Sequence, residues 1–382
     1  MEQGIARLQA ATADLEPPFA VVDLEALRAN TDDLARRAAG VPIRVASKSV
    51  RCRVILDRTL DRPEFAGLMA YALREAGWLA GQGHDDVMVG YPSADVGAIA
   101  ALDDELAARI VLMVDSPEHV ELIRRHARVP VRVCLDVDAS LRLGPIHLGV
   151  RRSPVHTVAQ ARAAAETIAA EPGVTLVGLM FYDAQIAGLP DSSAAVRLVK
   201  RRSAAELAHR RAAVVDAVSA IAPLTLVNGG GTGSLHITGR DRALTELAAG
   251  SGLYAPTLFD GYRDFNPRPA AYFVSAVTRR PSRRHAVAYS GGYVASGPPG
   301  WSRVPRPVWP AGLGLLGSEG AGEVQTPLRG PGVRDLRLGD RVWFRHAKAG
   351  ELCERFDRLH LVDGDGSVTS VPTYRGEGKN FG

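Results

Sequence analysis

Short apolar strands alternate with helical segments along the first two thirds of the chain. Counted from residues 42–46, the apolar runs predict about eight strands before residue 260, separated by helices. Most of these runs are continuously apolar, as parallel strands covered on both faces are. Repeated βα units over about 250 residues predict a (β/α)8 TIM-like barrel, with an open doubly wound sheet as the alternative. Phe19–Asp23 is left over as a lead-in strand.

The character of the sequence changes after residue 266. Short β-rich pieces alternate with Gly and Pro turns, and residues 296–316 form a loop crowded with Gly, Pro and Trp. We therefore expect two domains: a barrel over residues 1–266 and a smaller C-terminal all-β domain over residues 267–382.

Composition excludes several classes of protein. The net charge is +4, but the arginines fall in scattered pairs without an interleaved aromatic stripe, so no nucleic-acid partner is expected. No apolar run approaches the length of a membrane span, and residues 1–18 lack the pattern of a secretion signal. The 3 cysteines are widely spaced, which argues against a disulfide framework. These features predict a cytoplasmic protein without a membrane partner.

The first barrel strand ends on Lys48, in the stretch of residues 44–52 that also carries Arg44 and Arg51. Parallel α/β folds place their chemistry at the carboxyl ends of strands. An amine in a partly dry site beside other cations loses its proton more readily, so Lys48 is a candidate Schiff-base nucleophile. The alternative is an ordinary surface lysine at a strand end.

A glycine run over residues 229–234 follows the strand counted seventh, where barrels commonly bind phosphate. Glycines allow successive backbone N–H groups to point at one anion, and Thr232 or Ser234 adds a hydroxyl donor. The run is neither a Walker loop nor a dinucleotide-binding fingerprint. A flexible turn is the alternative. A strand-end lysine combined with a phosphate loop indicates pyridoxal phosphate as the cofactor.

Three motifs carry a family resemblance. They are Pro18-Phe-Ala-Val-Val-Asp23 with Leu27 and Asn30, the pattern Arg-x-x-x-Lys-[Ser/Thr]-x-[Lys/Arg] over residues 44–51, and Gly-Gly-Gly-[Thr/Ser] over residues 229–232. On these motifs the chain resembles the fold-type III pyridoxal phosphate enzymes, which share an alanine racemase-like N-terminal barrel. Within them it is similar to the D-threonine aldolase and D-serine dehydratase family, in particular to its amino acid deaminase/aldolase branch.

The resemblance implies roles for individual residues. Lys48 would hold the cofactor and act as the base at the substrate α-carbon. Arg142 would approach the cofactor's phenolic oxygen, or else pair with Asp136 or Asp138. Tyr182 would lie near the pyridine nitrogen, or else be a core tyrosine. The remaining residues would surround the phosphate: Gly230, Gly231, Thr232 and Tyr254.

The sequence departs from the family at the metal site. The resemblance implies a divalent metal held by His-x-[Cys/Asp] in the second domain, but here His346 is followed two residues later by Lys348. If both lie on one strand they share a face, and Lys348 could replace the metal. Alternatively Gly350 allows a turn that brings Cys353 or Glu351 back to complete a zinc or manganese site with His346. A histidine that is only packed in the core is the third interpretation.

We therefore expect a lyase that acts on a small-molecule β-hydroxy-α-amino acid, with Lys48, His346 and Lys348 as catalytic candidates. Aldol cleavage would give glycine and an aldehyde, and dehydration would give a keto acid and ammonia. The D configuration and a homodimer are implied by the resemblance alone. The alternatives are an amino-acid racemase, with Tyr289 or Tyr293 as second base, and a non-catalytic pyridoxal phosphate-binding protein. The polar tail, residues 374–379, is expected either to be disordered or to cover the active site.

Overall fold

The computed structural model of the chain describes residues 2–382. Eight parallel strands close into a barrel, in the order β10-β11-β2-β3-β4-β5-β6-β9. This confirms the predicted TIM-like barrel and its first strand. The barrel strands are β2 (Ile43–Ala46), β3 (Phe65–Ala70), β4 (Val87–Pro92), β5 (Ile110–Val114), β6 (Val131–Asp136), β9 (Val174–Phe181), β10 (Leu226–Gly229) and β11 (Glu246–Ala249).

Helices follow most of the barrel strands, and they pack their apolar faces against the outside of the sheet. Two short helices separated by a turn lie between the third and fourth barrel strands. The helices are α1 (Glu2–Ala11), α2 (Leu24–Ala38), α3 (Arg53–Leu60), α4 (Leu73–Gly81), α5 (Val96–Ala100), α6 (Asp104–Arg109), α7 (Pro117–His126), α8 (Val158–Ala169), α9 (Ala184–Ala187), α10 (Ala194–Ser219), α11 (Leu235–Thr238) and α12 (Glu351–Arg355).

A second, nine-stranded mixed sheet is built mainly from the C-terminal part of the chain. The lead-in strand β1 (Phe19–Asp23) belongs to this sheet, where it pairs with β12 antiparallel and with β18 in parallel. The other strands are β12 (Ala271–Ser282), β13 (His285–Tyr289), β14 (Arg306–Trp309), β15 (Gly314–Leu315), β16 (Gln325–Arg329), β17 (Arg341–Arg345), β18 (Arg358–Val362) and β19 (Val368–Pro372). A small hairpin, β7 (Leu141–Leu143) with β8 (Ile146–Leu148), follows β6.

The interior of the barrel is apolar in its middle layer and charged at its amino end. Met69, Met88 and Cys134 belong to the apolar layer. Below it, the Arg44 guanidinium donates to Glu246 at 2.7 Å and to Asp86 at 2.9 Å. These ion pairs hold the buried arginine and fill the amino end of the barrel. The end that is open to a substrate is therefore the carboxyl end of the strands. No helix within residues 2–382 is long and apolar enough to cross a membrane.

Candidate active site

Lys48 lies at the carboxyl mouth of the barrel. β2 ends at Ala46, and a single 3-10 turn, Ser47–Ser49, redirects the chain so that the Lys48 side chain is exposed at the mouth. The Ser47 hydroxyl donates to the Met69 carbonyl at 2.9 Å and ties this turn to the next strand. The Lys48 amine donates to the Tyr91 hydroxyl. The Lys48 amine is therefore held by a side chain of the third barrel strand, β4.

The backbone around Lys48 is held from both domains. Arg51 has a left-handed φ of 48°, and its Nε donates to the Lys48 carbonyl at 3.0 Å. Gly350, which precedes α12, packs against the same carbonyl, and a Cβ at Gly350 would lie 2.3 Å from that oxygen. Only glycine permits this approach, at a φ of +90°. The β domain thus contacts the lysine turn directly.

An aromatic path leads from Lys48 across the mouth. The Arg152 guanidinium lies 5.7 Å from the Tyr91 ring centre and 5.2 Å from the Tyr182 ring centre. Gly231 lies against Tyr182, since a Cβ at Gly231 would be 3.8 Å from Tyr182 Cε2. Lys48 and the glycine loop are therefore connected through two tyrosines and one arginine.

The glycine loop, residues 229–234, contains backbone N–H groups that are free to bind a ligand. Gly230 has a φ of +80°, and the Gly231 N–H donates to Ser234 Oγ at 3.1 Å. The Thr232 hydroxyl accepts from the Gly252 N–H at 3.1 Å, which joins the loops after β10 and β11. The N–H groups of Thr232 and Gly233 have no acceptor among residues 2–382. Unpaired donors in a glycine-rich turn are suited to bind a phosphate.

These residues fit pyridoxal phosphate. The cofactor needs an amine for its carbonyl group, donors for its phosphate and a surface for its ring. Lys48, the free N–H groups of the glycine loop and the tyrosines between them supply each of these.

Arg142 and Arg152 lie on one open cleft of about 450 Å³ but have different surroundings. Arg142 donates to Asp138 Oδ2 at 2.5 Å, which is the ion pair that the sequence offered as the alternative to a cofactor contact. Arg152 lies over the two tyrosines instead. Sequence analysis missed Tyr91 and Arg152. Tyr91 could have been found as the tyrosine near the end of the third barrel strand.

Tyr254 is fully buried beneath the mouth. Its hydroxyl donates to the Val50 carbonyl at 2.9 Å and lies 3.9 Å from Cys353 Sγ. Burial raises the pKa of Tyr254 well above its usual value. The structure thus joins Tyr254 to the backbone just after Lys48, while Ser251 and Gly252 of the same segment contact Thr232 of the glycine loop.

His346 is also buried, and its ring centre lies 6.3 Å from that of Tyr254. Neither ring nitrogen has a hydrogen-bond partner among residues 2–382. Burial, and next the charge of Arg345, lowers its pKa to about 3, so the ring is neutral. The Cys353 thiol is buried too, and burial raises its pKa above the usual value.

These donors do not fit a divalent metal. Within residues 2–382, no group of three or more His, Cys, Asp and Glu side chains is placed to hold an ion. The residue two positions after His346 is a lysine, Lys348, rather than the cysteine or aspartate of the family pattern.

Lys348 turns toward the mouth while His346 turns into the core. β17 ends at Arg345, so the expectation that His346 and Lys348 share a strand face does not hold. The Lys348 amine donates to Ser296 Oγ at 3.2 Å. Burial lowers its pKa from 10.5, and the charges of Arg303, Lys48 and Arg152 lower it further. Lys348 and Lys48 therefore approach one site from opposite domains.

Asp136, which the sequence offered only as an ion-pair partner of Arg142, lies at the end of β6. Burial, and then the charge of Asp115, raises the pKa of Asp136 to about 7, and Arg152 opposes this shift. The two tyrosines considered as a racemase base have different surroundings. Tyr289 is exposed, and the Tyr293 hydroxyl is hydrogen-bonded to Ser290 Oγ at 2.6 Å.

Comparison with known proteins gives the same fold. A family model described as the alanine racemase N-terminal domain matches residues 22–256. The search of curated proteins finds no match. The D-threonine aldolase of Filomicrobium marinum is 21% identical with a TM-score of 0.81, covering 95% of this chain and 96% of that one.

Two other solved structures are also similar. The D-threo-3-hydroxyaspartate dehydratase of Delftia sp. HT23 is 19% identical, with a TM-score of 0.74 and coverage of 94% of this chain and 97% of that chain. An alanine racemase of Clostridium difficile 630 is 13% identical, with a TM-score of 0.66 and coverage of 94% and 98%. At these identities the likeness is one of fold.

Proposed function

The chain belongs to the alanine racemase N-terminal domain family, the fold-type III pyridoxal phosphate enzymes, and from this premise we propose that it is a lyase acting on β-hydroxy-α-amino acids. The observation that carries the proposal is that the segment of Lys348 contacts the lysine turn: Gly350 packs against the Lys48 carbonyl, and Lys48 is close enough for its charge to lower the pKa of Lys348. An amine at each end of the site can serve the α-carbon and the β-hydroxyl of one substrate.

Lys48 is the group that acts at the α-carbon of the substrate. Pyridoxal phosphate, when bound, supplies a carbonyl group for the substrate amine and an electron sink for the bonds at the α-carbon. The Tyr91 hydroxyl holds the Lys48 amine by a hydrogen bond. Lys48 then gives a proton to the α-carbon or takes one from it. Thr232 and Gly233 would bind the phosphate through their free N–H groups.

At the other end, Lys348 is assigned to the β-hydroxyl. In aldol cleavage its neutral amine accepts the hydroxyl proton, the Cα–Cβ bond breaks as the aldehyde C=O forms, and the α-carbon takes up a proton to leave glycine. No metal is needed for this step, which agrees with the donor set around His346. The neighbouring cations favour the neutral amine of Lys348 and so support cleavage.

Dehydration is the second candidate. It would use the same two amines in reversed roles: Lys48 accepts the α-proton and protonated Lys348 donates a proton to the leaving hydroxyl. The enamine that is released tautomerises to an imine, which water hydrolyses to a keto acid and ammonia. The D configuration of the substrate and a homodimer belong to this proposal on the strength of the resemblance described above, and a cytoplasmic location belongs to it on the strength of the composition.

Product analysis tests the proposal. The holoenzyme is incubated with D-threonine and with L-threonine, with and without EDTA, and products are separated by chromatography. We expect glycine and acetaldehyde from the D isomer, at a rate that EDTA leaves unchanged. Formation of 2-oxobutanoate would favour dehydration. Exchange of deuterium at the α-carbon with inversion and without either product would identify a racemase and overturn the proposal.

A further inference from the structure

Two cations of the β domain face the mouth of the barrel without an acidic partner. The Lys348 amine bonds only to Ser296, through Oγ at 3.2 Å and the carbonyl at 3.4 Å. Arg303 is tied to the same loop, since the Ala295 N–H donates to the Arg303 carbonyl at 2.8 Å. Its guanidinium packs against Gly297, where a Cβ would lie 2.7 Å from Arg303 Nε. The loop therefore presents both cations together.

The Arg303 guanidinium has polar atoms left unused. Its Nε is buried and has no acceptor within the described residues, and its other contacts are to its own neighbour Ser302. After burial, three positive charges lower the pKa of Lys348. Arg303 has the largest effect of the three, followed by Lys48 and Arg152. An uncompensated group of cations in a half-buried site is costly unless an anion binds there.

The carboxylates around the mouth already interact with other arginines. Three of them pair with arginines: Asp138 with Arg142, Glu351 with Arg355, and Glu354 with Arg51. The remaining one, Asp136, acts on Arg152, and its pKa of about 7 leaves it only partly ionised at neutral pH. None of these four carboxylates is bonded to Arg303 or Lys348, whose side chains bond only to Ser302 and Ser296.

A substrate anion bound here would give both cations the acidic partner that they lack. Every α-amino acid brings one carboxylate, and Lys48 and Arg152 lie on the side of the cofactor-binding residues. Because the Arg303 guanidinium has no carboxylate partner, we infer that the substrate carries a second carboxylate, on its side chain. Arg303 is the residue that selects it. This inference rests on the proposed function, because a carboxylate on the carbon that bears the β-hydroxyl would lie between Lys348 and Arg303.

Paired substrates test the selection. The kcat/KM of the holoenzyme is compared for D-3-hydroxyaspartate and D-3-hydroxyasparagine, which differ by the side-chain charge alone. We expect the acid to be preferred at least about tenfold, as for one charge-assisted hydrogen bond. Arg303→Gln should remove that preference, and Arg303→Lys should retain part of it. The exposed Arg306, three residues away, provides the control Arg306→Gln, which should behave as the wild type.

Binding without reaction separates this inference from the proposed function. D-Aspartate and D-asparagine lack the hydroxyl, and their dissociation constants are measured with the holoenzyme by calorimetry. Tighter binding of the acid that is lost in Arg303→Gln supports the inference even if no lyase product is found. Equal binding of both, or a preference that survives in a correctly folded Arg303→Gln variant, overturns it whatever the reaction.

Discussion

The Nζ of Lys48 lies 4.9 Å from the centre of the Tyr91 ring and donates a hydrogen bond to its hydroxyl. These two residues come from the first and third strands of the barrel. The contact orients the amine toward the mouth, where Arg152 also reaches the Tyr91 ring.

Tyr91→Phe should lower the reaction rate at saturating substrate about tenfold, because a hydrogen bond to a charged amine is worth about 1.5 to 3 kcal/mol. The ring remains, so the fold and the position of Arg152 should be retained. Steady-state kinetics and circular dichroism measure both. The exposed Tyr289 provides the control Tyr289→Phe. Unchanged kinetics in Tyr91→Phe would show that the hydroxyl does not orient Lys48.

Gly231→Ala should weaken cofactor binding about tenfold or more. A Cβ at Gly231 would lie 2.8 Å from the Cβ of Ala187, so the loop that presents the free N–H groups must shift. Equilibrium dialysis with pyridoxal phosphate measures the dissociation constant. Gly317→Ala is the matched control, since open space surrounds Gly317. Equal affinity in both variants would place the phosphate elsewhere.

The barrel could be predicted from sequence because eight continuous apolar runs encode it locally. The partners of β1 could not, since Phe19–Asp23 pairs with strands more than 240 residues later and nothing in five apolar residues specifies them. For the tail, the sequence left disorder and a cover over the active site as alternatives. Disorder is wrong, because Tyr374 is 1% exposed and its ring centre lies 4.8 Å from that of Trp78.

Glu75 should make stability depend on pH. Its side chain is buried below the lysine turn, and burial raises its pKa from 4.5 to about 7. The pKa of Glu75 is higher in the folded protein than in the unfolded chain, so the protonated side chain favours the folded state. This contribution to the free energy of unfolding is fully present below pH 4.5 and is lost as the pH rises through about 7. The shift corresponds to about 3 kcal/mol.

Glu75→Gln removes this titration and keeps an acceptor for the Tyr71 N–H, which now donates to Glu75 at 2.6 Å. Urea unfolding at pH 5 and pH 8 should show that the wild type loses more stability than the variant over this range. Glu319→Gln, at an exposed position, is the control. Parallel pH profiles of wild type and Glu75→Gln would contradict the assignment.

Tyr374→Ala should lower the free energy of unfolding by about 3 to 5 kcal/mol, the usual cost of deleting a buried aromatic side chain. Tyr374 packs against Trp78, and its N–H donates to the Arg51 carbonyl at 2.9 Å, so the tail supports the segment that follows Lys48. Urea unfolding measures the loss. Lys379→Ala, in the exposed part of the tail, should change stability little; an equally small effect of Tyr374→Ala would mean that the tail is loosely held.

The site was predictable where a motif carries the chemistry and unpredictable where tertiary packing does. Lys48 and the glycine loop were found because each is a local signal at the end of a strand. Arg152 was missed because its importance comes from two rings on other strands, Tyr91 and Tyr182. The separation of His346 from Lys348 depends on where β17 ends, which alternation alone does not define.

The central claim is that Lys48 binds pyridoxal phosphate. The most direct measurement is the absorbance spectrum of the purified protein and of Lys48→Ala, each reconstituted with the cofactor and then freed of excess by gel filtration. The account predicts a visible band in the wild type that borohydride reduction fixes to the peptide containing Lys48, and no such band in the variant. A wild type without the band, or a band that persists unchanged in Lys48→Ala, would contradict it.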